Sequence, residues 1–287
     1  MIASCFFWAL GTVLTKDSIG DAPGSFRVYV FNGLRLVIAT VVLFIYMFLR
    51  GESPVIRREH IVRMALVSLF GFHLFMVVFH LGLTMTTASH AGILIGTIPL
   101  FIVIVSTVTG VERPNRWLIL GILTGFTGVA ALTAHNGIFG INPGDLLVIV
   151  SCMSWAFYTV YGKTVLEIYS PIVTTAWVFL FTTIFHIPLF LMQVSGQSWS
   201  AIPVHSWVNM VIAAIGALFL SNTLYYYALD VIGPSRVGIY TNLEPGFTLL
   251  LAWGIGSETI TTIHIVGFIA IMTGIVLTKR GEYPDNQ

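Results

Sequence analysis

Charge is what this chain has least of. Lys and Arg number 13 and Asp and Glu 12 among 287 residues, 9% in all, where a soluble domain carries about 25%. So few charges cannot coat a water-soluble protein of this size, and much of the 56% that is hydrophobic must face lipid. The two signs nearly cancel, to a formal +1, which leaves no basic stripe for phosphates and excludes nucleic acid as a partner. Cysteine is almost missing too. Cys5 and Cys152 both lie in apolar runs, supply neither a disulfide framework nor a zinc site, and read as small buried hydrophobes, so no metal is expected. H-E-x-x-H, G-x-S-x-G and glycine-rich phosphate loops are absent, and no soluble stretch could bind ATP. No cofactor and no catalytic residue are expected.

What is present is a repeat. Cys5, Trp8, Ala9, Thr12, Val13 and Lys16 return at identical spacing as Cys152, Trp155, Ala156, Thr159, Val160 and Lys163. Further on, Phe79, Gly82, Leu83, Ser89, Gly92, Ile93, Pro99, Glu112, Gly121 and Gly128 align with Tyr225, Ala228, Leu229, Ser235, Gly238, Ile239, Pro245, Glu258, Gly267 and Gly274. One module is written twice, over 1–134 and 145–280. A turn-rich stretch, A-H-N-G-I-F-G-I-N-P-G in its body, joins the copies. The opening apolar run lacks a basic n-region and an A-x-A-like cleavage site and recurs inside the chain, so it belongs to the fold.

A bilayer core takes about 20 apolar residues per helix. The chain divides into ten such runs, near 2–16, 27–49, 61–83, 88–109, 117–134, 145–162, 172–193, 207–229, 233–255 and 263–279. An all-α integral membrane protein of ten transmembrane helices is expected, its backbone polar groups satisfied within each helix. Cytoplasmic loops collect Lys and Arg. With the N-terminus inside, the cytoplasmic side holds Arg50, Arg57, Arg58, Arg63, Arg113, Arg116, Lys163, Arg236, Lys279 and Arg280, and the outer side only Lys16 and Arg27. Both termini are then cytoplasmic. Five helices separate equivalent positions, so the two copies insert in opposite orientations, a five-plus-five inverted-topology repeat in the cell membrane.

These residues resemble the EamA family of the drug/metabolite transporter superfamily. The likeness rests on W-A-L-G-T-V-L-T-K and W-A-F-Y-T-V-Y-G-K, on T-I-P-L-F and L-E-P-G-F, and on the glutamates of G-V-E-R-P and G-S-E-T-I. The resemblance implies a helix bundle around a cavity that opens alternately to either side, commonly exporting amino acids or other small metabolites. The copies depart from one another at the centre, where Glu244 precedes Pro245 but Ile98 precedes Pro99.

Glu244 falls near the middle of its run, where a carboxylate is costly unless paired, protonated or wet. It is either held by Asn242 or by backbone freed at Pro245, or it contacts substrate or proton. Pro99 and Pro245 each remove a helix hydrogen bond at equivalent depth and read as hinges. Trp8 and Trp155, repeat mates inside their spans, are expected to meet near the pseudo-twofold axis and, with Tyr158, Tyr225, Tyr226 and Tyr240, either to pack as core or to line an aromatic cavity. Thr97, Asn222 and Asn242 are neutral candidates for hydrogen bonds to substrate. His73 lies mid-span, with His80 and His186 beyond it, and is either a core residue or a proton-coupling partner of Glu244. Arg35 either snorkels, finds a structural partner or meets an anionic substrate group. Lys16 and Lys163 read as helix-end caps or gate residues. Gly121, Gly125, Gly128, Gly267 and Gly274 suit close packing, as scaffold or as the face of a homodimer.

The expected function is secondary transport, with a small-molecule substrate, the lipid bilayer and protons as partners. Uptake of a quaternary amine through the aromatic cavity, an intramembrane enzyme using His73 and Glu244, and a sensory or structural subunit are the alternatives.

Overall fold

A computed structural model describes residues 1–83, 85–86, 94–133, 143–254 and 261–280. Ser89, Gly92, Ile93 and Glu258 of the repeat, and residues 134–142 of the joining stretch, lie outside the described residues. The chain is all helical, with no strand among the described residues.

The helices are α1 (Ile2–Ser18), α2 (Val28–Leu49), α3 (Arg58–Leu66), a π-helical turn π1 (Val67–His73), α4 (Leu74–Leu83), α5 (Ile98–Val108), α6 (Arg116–Thr133), α7 (Pro143–Leu166), α8 (Pro171–Val194), α9 (Val204–Ala213), a second π-helical turn π2 (Ala214–Leu220), α10 (Ser221–Ile232), α11 (Pro234–Thr241), α12 (Leu243–Gly254) and α13 (Thr262–Arg280). Several starts carry proline in the first turn, where a missing N–H costs nothing. Pro171 follows Ser170, whose Oγ accepts from the Val173 N–H at 3.3 Å. Pro234 follows Gly233, whose φ of +80° favours a residue without a side chain.

Five helical stretches are long and apolar enough to cross a bilayer, Val28–Leu49, Arg58–Gly82, Pro143–Leu166, Pro171–Val194 and Val204–Ile232, and Ile98–Val108, Arg116–Ala130 and Thr262–Thr278 are shorter apolar helices. The ninth run, continuous in sequence, is two helices: α11 ends at Thr241, the chain turns at Asn242, and α12 starts at Leu243. The fourth is likewise interrupted, since 96–97 form a turn before α5. Pro99 and Pro245 thus stand in the first turn of a new helix, a break rather than a mid-helix kink.

Helices distant in sequence pack closely against one another. π1 and π2 fall 147 residues apart, the spacing of Trp8 to Trp155. Gly11 of α1 abuts Ala217 of π2, and a Cβ on Gly71 of π1 would stand 2.8 Å from Cβ of Tyr158 on α7. Gly121 on α6 meets Gly274 on α13, and Gly128 meets Gly267, with a substituted Cβ 2.6 and 2.5 Å from the facing carbonyl oxygens. The glycines thus face one another inside the chain, which lets the two backbones touch.

Candidate functional site

Trp8 on α1 and Trp155 on α7 meet edge to face, ring centroids 5.5 Å apart at 80°. Tyr225 lies 5.3 Å from Trp8 and 5.6 Å from Trp155, and Phe75 of α4 lies 4.8 Å from Trp155. Four helices therefore supply one aromatic cluster, held by offset ring contacts worth about 0.5–1.5 kcal/mol per pair beyond burial. Trp8 is half-buried, while Trp155 is buried and its indole Nε1 has no hydrogen-bond partner among the described residues. An orphan donor in this setting costs about 1–3 kcal/mol, which a ligand acceptor would recover.

Tyr158, Tyr225 and Tyr226 are fully buried behind the tryptophans. The Tyr158 hydroxyl donates to Asn222 Oδ1 at 3.4 Å, and Asn222 Nδ2 donates to the Ala217 and Leu218 carbonyls at 3.1 and 3.0 Å. Those carbonyls belong to π2, whose widened turn frees acceptors that an α-helix would use internally. In this conformation Asn222 therefore ties the π turn to the aromatic cluster.

Glu244 stands in the first turn of α12, where the exposed N–H groups favour a carboxylate. Its Oε1 lies 3.4 Å from Thr12 Oγ1 of α1, and the Glu244 side chain is only partly buried. Among the described residues, neither Asn242 nor backbone freed by Pro245 holds the carboxylate. Asn242 Nδ2 is buried without a partner, close to Gly125. At the other break, Thr97 Oγ1 donates to the Leu94 carbonyl at 2.5 Å, which also accepts from Cys152 Sγ at 3.4 Å. His73 ends π1 with its ring 5.8 Å from His186 and 6.2 Å from Phe185. No hydrogen bond or ion pair joins His73 to Glu244 among the described residues. A cavity of about 750 Å³ is lined by Glu59, Arg63, Leu66, Thr109, Tyr161 and Thr164 among others, and by none of these residues.

Thr12 was legible only as a repeat mark. Its mate Thr159 is engaged by Tyr225 Oη at 2.6 Å, but the residue aligned with Tyr225 in the first copy is Phe79, which has no hydroxyl. That difference leaves Thr12 free for Glu244.

The profile of the EamA-like transporter family matches residues 1–134 and again 142–280. The chain belongs to this family. It is 26% identical over 265 residues to the uncharacterized transporter YetK of Bacillus subtilis, covering 90% of this chain and 80% of that protein. It is 27% identical over 263 residues to the uncharacterized inner membrane transporter YedA of Escherichia coli K12, covering 88% and 81%. One solved crystal structure superposes with a TM-score of 0.81 over 98% of each chain at 20% identity, a likeness of fold.

This EamA-like protein is thus a multi-pass membrane transporter, and polar contacts tie its halves together at both ends of the bundle. At the arginine-rich end, Glu112 Oε2 accepts from the Ser235 N–H at 2.9 Å at the start of α11. Within the second copy, Lys163 reaches the Asp230 carbonyl at 2.6 Å and its carboxylate at 3.2 Å, a bridge between α7 and α10 rather than a cap of its own helix. At the opposite end, Gln197 and Gln193 accept from the N–H groups of Arg27 and Tyr29, both at 2.8 Å, and Asn209 donates to Asp17 at 2.9 Å. Lys16, the mate of Lys163, makes no ion pair among the described residues.

Proposed function

We propose that the chain is a secondary transporter that moves small metabolites such as amino acids outward, by alternating access of two inverted five-helix repeats. The observation that carries this reading is the meeting of the repeat mates Trp8 and Trp155 beside two interrupted helices, the second of which presents Glu244. Broken helices at membrane depth are tolerated where they line a site, and their free termini bind polar groups. In this reading Trp8 and Trp155 hold the solute body, Thr97, Asn242 and Glu244 contact its polar groups, and Tyr158 and Asn222 position the cluster from behind. Pro99 and Pro245 mark the hinges, and Glu244 carries the coupling proton, with His73 as a second protonation site. The glycine and π-turn contacts exchanged between copies support the inverted repeat. The ten-span count, cytoplasmic termini and placement in the cell (plasma/inner) membrane complete it.

The test is counterflow in proteoliposomes with a panel of amino acids, amines and nucleosides. Accumulation of unchanged solute is expected; chemical conversion would identify an intramembrane enzyme, and no movement of any solute a structural subunit. The aromatic cluster also suits a quaternary amine, and accumulation of betaine or choline in place of amino acids would favour that reading.

Trp155→Phe is expected to weaken solute binding about ten-fold, because it deletes an indole N–H that has no protein partner. Its thermal midpoint should fall by only a few degrees, since the ring contacts persist. Unchanged binding would show that the indole N–H makes no contact with solute.

Orientation is tested by single cysteines. With ten basic residues on one side and two on the other, positions between Arg50 and Arg63 should react only from the cytoplasm, and those between Gln193 and His205 only from outside. The reverse at both would invert the assignment.

A further inference from the structure

Arg35 stands seven residues into α2, about 10 Å from the helix start at 1.5 Å per residue. It neither snorkels nor caps a helix. The guanidinium turns inward, where Nη1 donates to Thr15 Oγ1 of α1 at 3.2 Å and Cζ lies 5.6 Å from the Phe31 ring. Among the described residues Nε is buried without a partner, Nη2 has no hydrogen bond, and no carboxylate lies within ion-pair distance. The side-on edge of the guanidinium, Nε with Nη2, is thus empty. That edge matches the two oxygens of a carboxylate.

The titratable side chains nearby are histidines, which supply no negative charge. His80 of α4 and His186 of α8 lie beside Arg35. Each ring holds one nitrogen on a backbone carbonyl, His80 Nδ1 on Met76 at 2.6 Å and His186 Nε2 on Tyr29 at 3.0 Å. His73 adds a further ring 5.8 Å from His186. Four helices thus converge on an uncompensated cation inside a bundle, an arrangement costing several kcal/mol unless something negative arrives. A track of half-buried aromatic rings leads away from it along α4. Phe79 lies 5.9 Å from His80, Phe75 stacks on Phe79 at 5.6 Å, and Trp155 lies 4.8 Å from Phe75.

The geometry points to a binding site for the carboxylate of an amphipathic solute, with Arg35 as its fork and Thr15 as the residue that orients the fork. The apolar body lies along Phe79 and Phe75 toward Trp155. The inference rests on the transport reading above and narrows its substrate to carboxylates with an apolar or aromatic body, apolar amino acids among them.

The test pairs carboxylates with their amides. Purified protein is titrated with L-phenylalanine, L-phenylalaninamide, 3-phenylpropionate, 3-phenylpropionamide and inorganic phosphate, read by thermal shift and by tryptophan fluorescence. The wild type should bind each carboxylate at least ten-fold more tightly than its amide. Arg35→Gln should bring the carboxylate down to the amide, and Arg35→Lys, which keeps the charge but not the fork, should recover only part of the preference. Retained carboxylate preference in Arg35→Gln, or a wild type that no carboxylate stabilises more than it does Arg35→Gln, would falsify the assignment; so would binding of phosphate alone. Flux separates the two readings. Arg35-dependent carboxylate binding without counterflow of any solute leaves the site standing and removes transport, whereas counterflow unaffected by Arg35→Gln does the reverse.

Discussion

Glu244→Gln is expected to abolish solute flux driven by a pH gradient while leaving solute-for-solute exchange within about three-fold of the wild type. Glutamine keeps the shape of the side chain and can still meet Thr12 Oγ1, 3.4 Å from Oε1 in the structure, but it fixes the neutral state. Exchange needs no net proton movement and should survive. Driven flux requires a group that takes a proton in one conformation and releases it in the other, an equilibrium that a ligand shifts only through different affinities for the two states. Glu244 is suited to this because it sits on a freshly started helix, α12, and its carboxylate meets a hydroxyl of a different helix, α1. Any relative movement of α1 and α12 changes its environment. Proteoliposomes loaded at one pH and diluted into another separate the outcomes. Undiminished driven flux would make Glu244 structural, held by Thr12 and the α12 N-terminus, and the coupling site would then lie elsewhere, with His73 next to be tested.

The fold was legible because its signals are long-range and redundant. Apolar runs mark helices however their ends are drawn, and two copies of each landmark fix the register between halves. The tryptophan pair was legible for the same reason, since Trp8 and Trp155 recur at the same place in the two sequence copies and their rings meet in the structure. What the sequence could not display is where a helix stops being an α-helix. Val67–His73 and Ala214–Leu220 contain no proline and read as ordinary spans, and only three-dimensional packing of Gly71 on Tyr158 and of Gly11 on Ala217 shows where the turns widen. The break at Asn242 was half legible: Pro245 announced an interruption, but proline is equally at home in a first turn as in a kink. Partners were hardest to read. For Glu244 the sequence offered Asn242, backbone freed at Pro245, or substrate and proton as partners, and the contact in the structure is with Thr12, distant in sequence. Arg35 left three options open in sequence, and the choice depends on which way the guanidinium turns.

Gly128→Val is expected to be the most damaging single substitution in the scaffold, costing about 3 kcal/mol or more and leaving little folded protein. A Cβ at Gly128 would fall 2.5 Å from the Gly267 carbonyl oxygen and 2.8 Å from the Ile271 backbone nitrogen. Neither neighbour is a side chain that can rotate away, so α6 and α13 would have to separate along their length, and overpacking of this kind typically costs about 1–3 kcal/mol even where side chains can adjust. Gly274→Val should be as damaging, because its Cβ would fall 2.6 Å from the Gly121 carbonyl oxygen and 2.8 Å from the Gly125 nitrogen. Gly254→Ala serves as the control: nothing lies within 4 Å of the added carbon, so the thermal midpoint should hold or rise slightly as the helix gains a better former. Size-exclusion yield after heating reads all three. The result also bears on the dimer face that these glycines suit by sequence. A role inside the fold predicts loss of folded protein at any concentration, whereas a role between chains predicts a folded monomer that no longer associates.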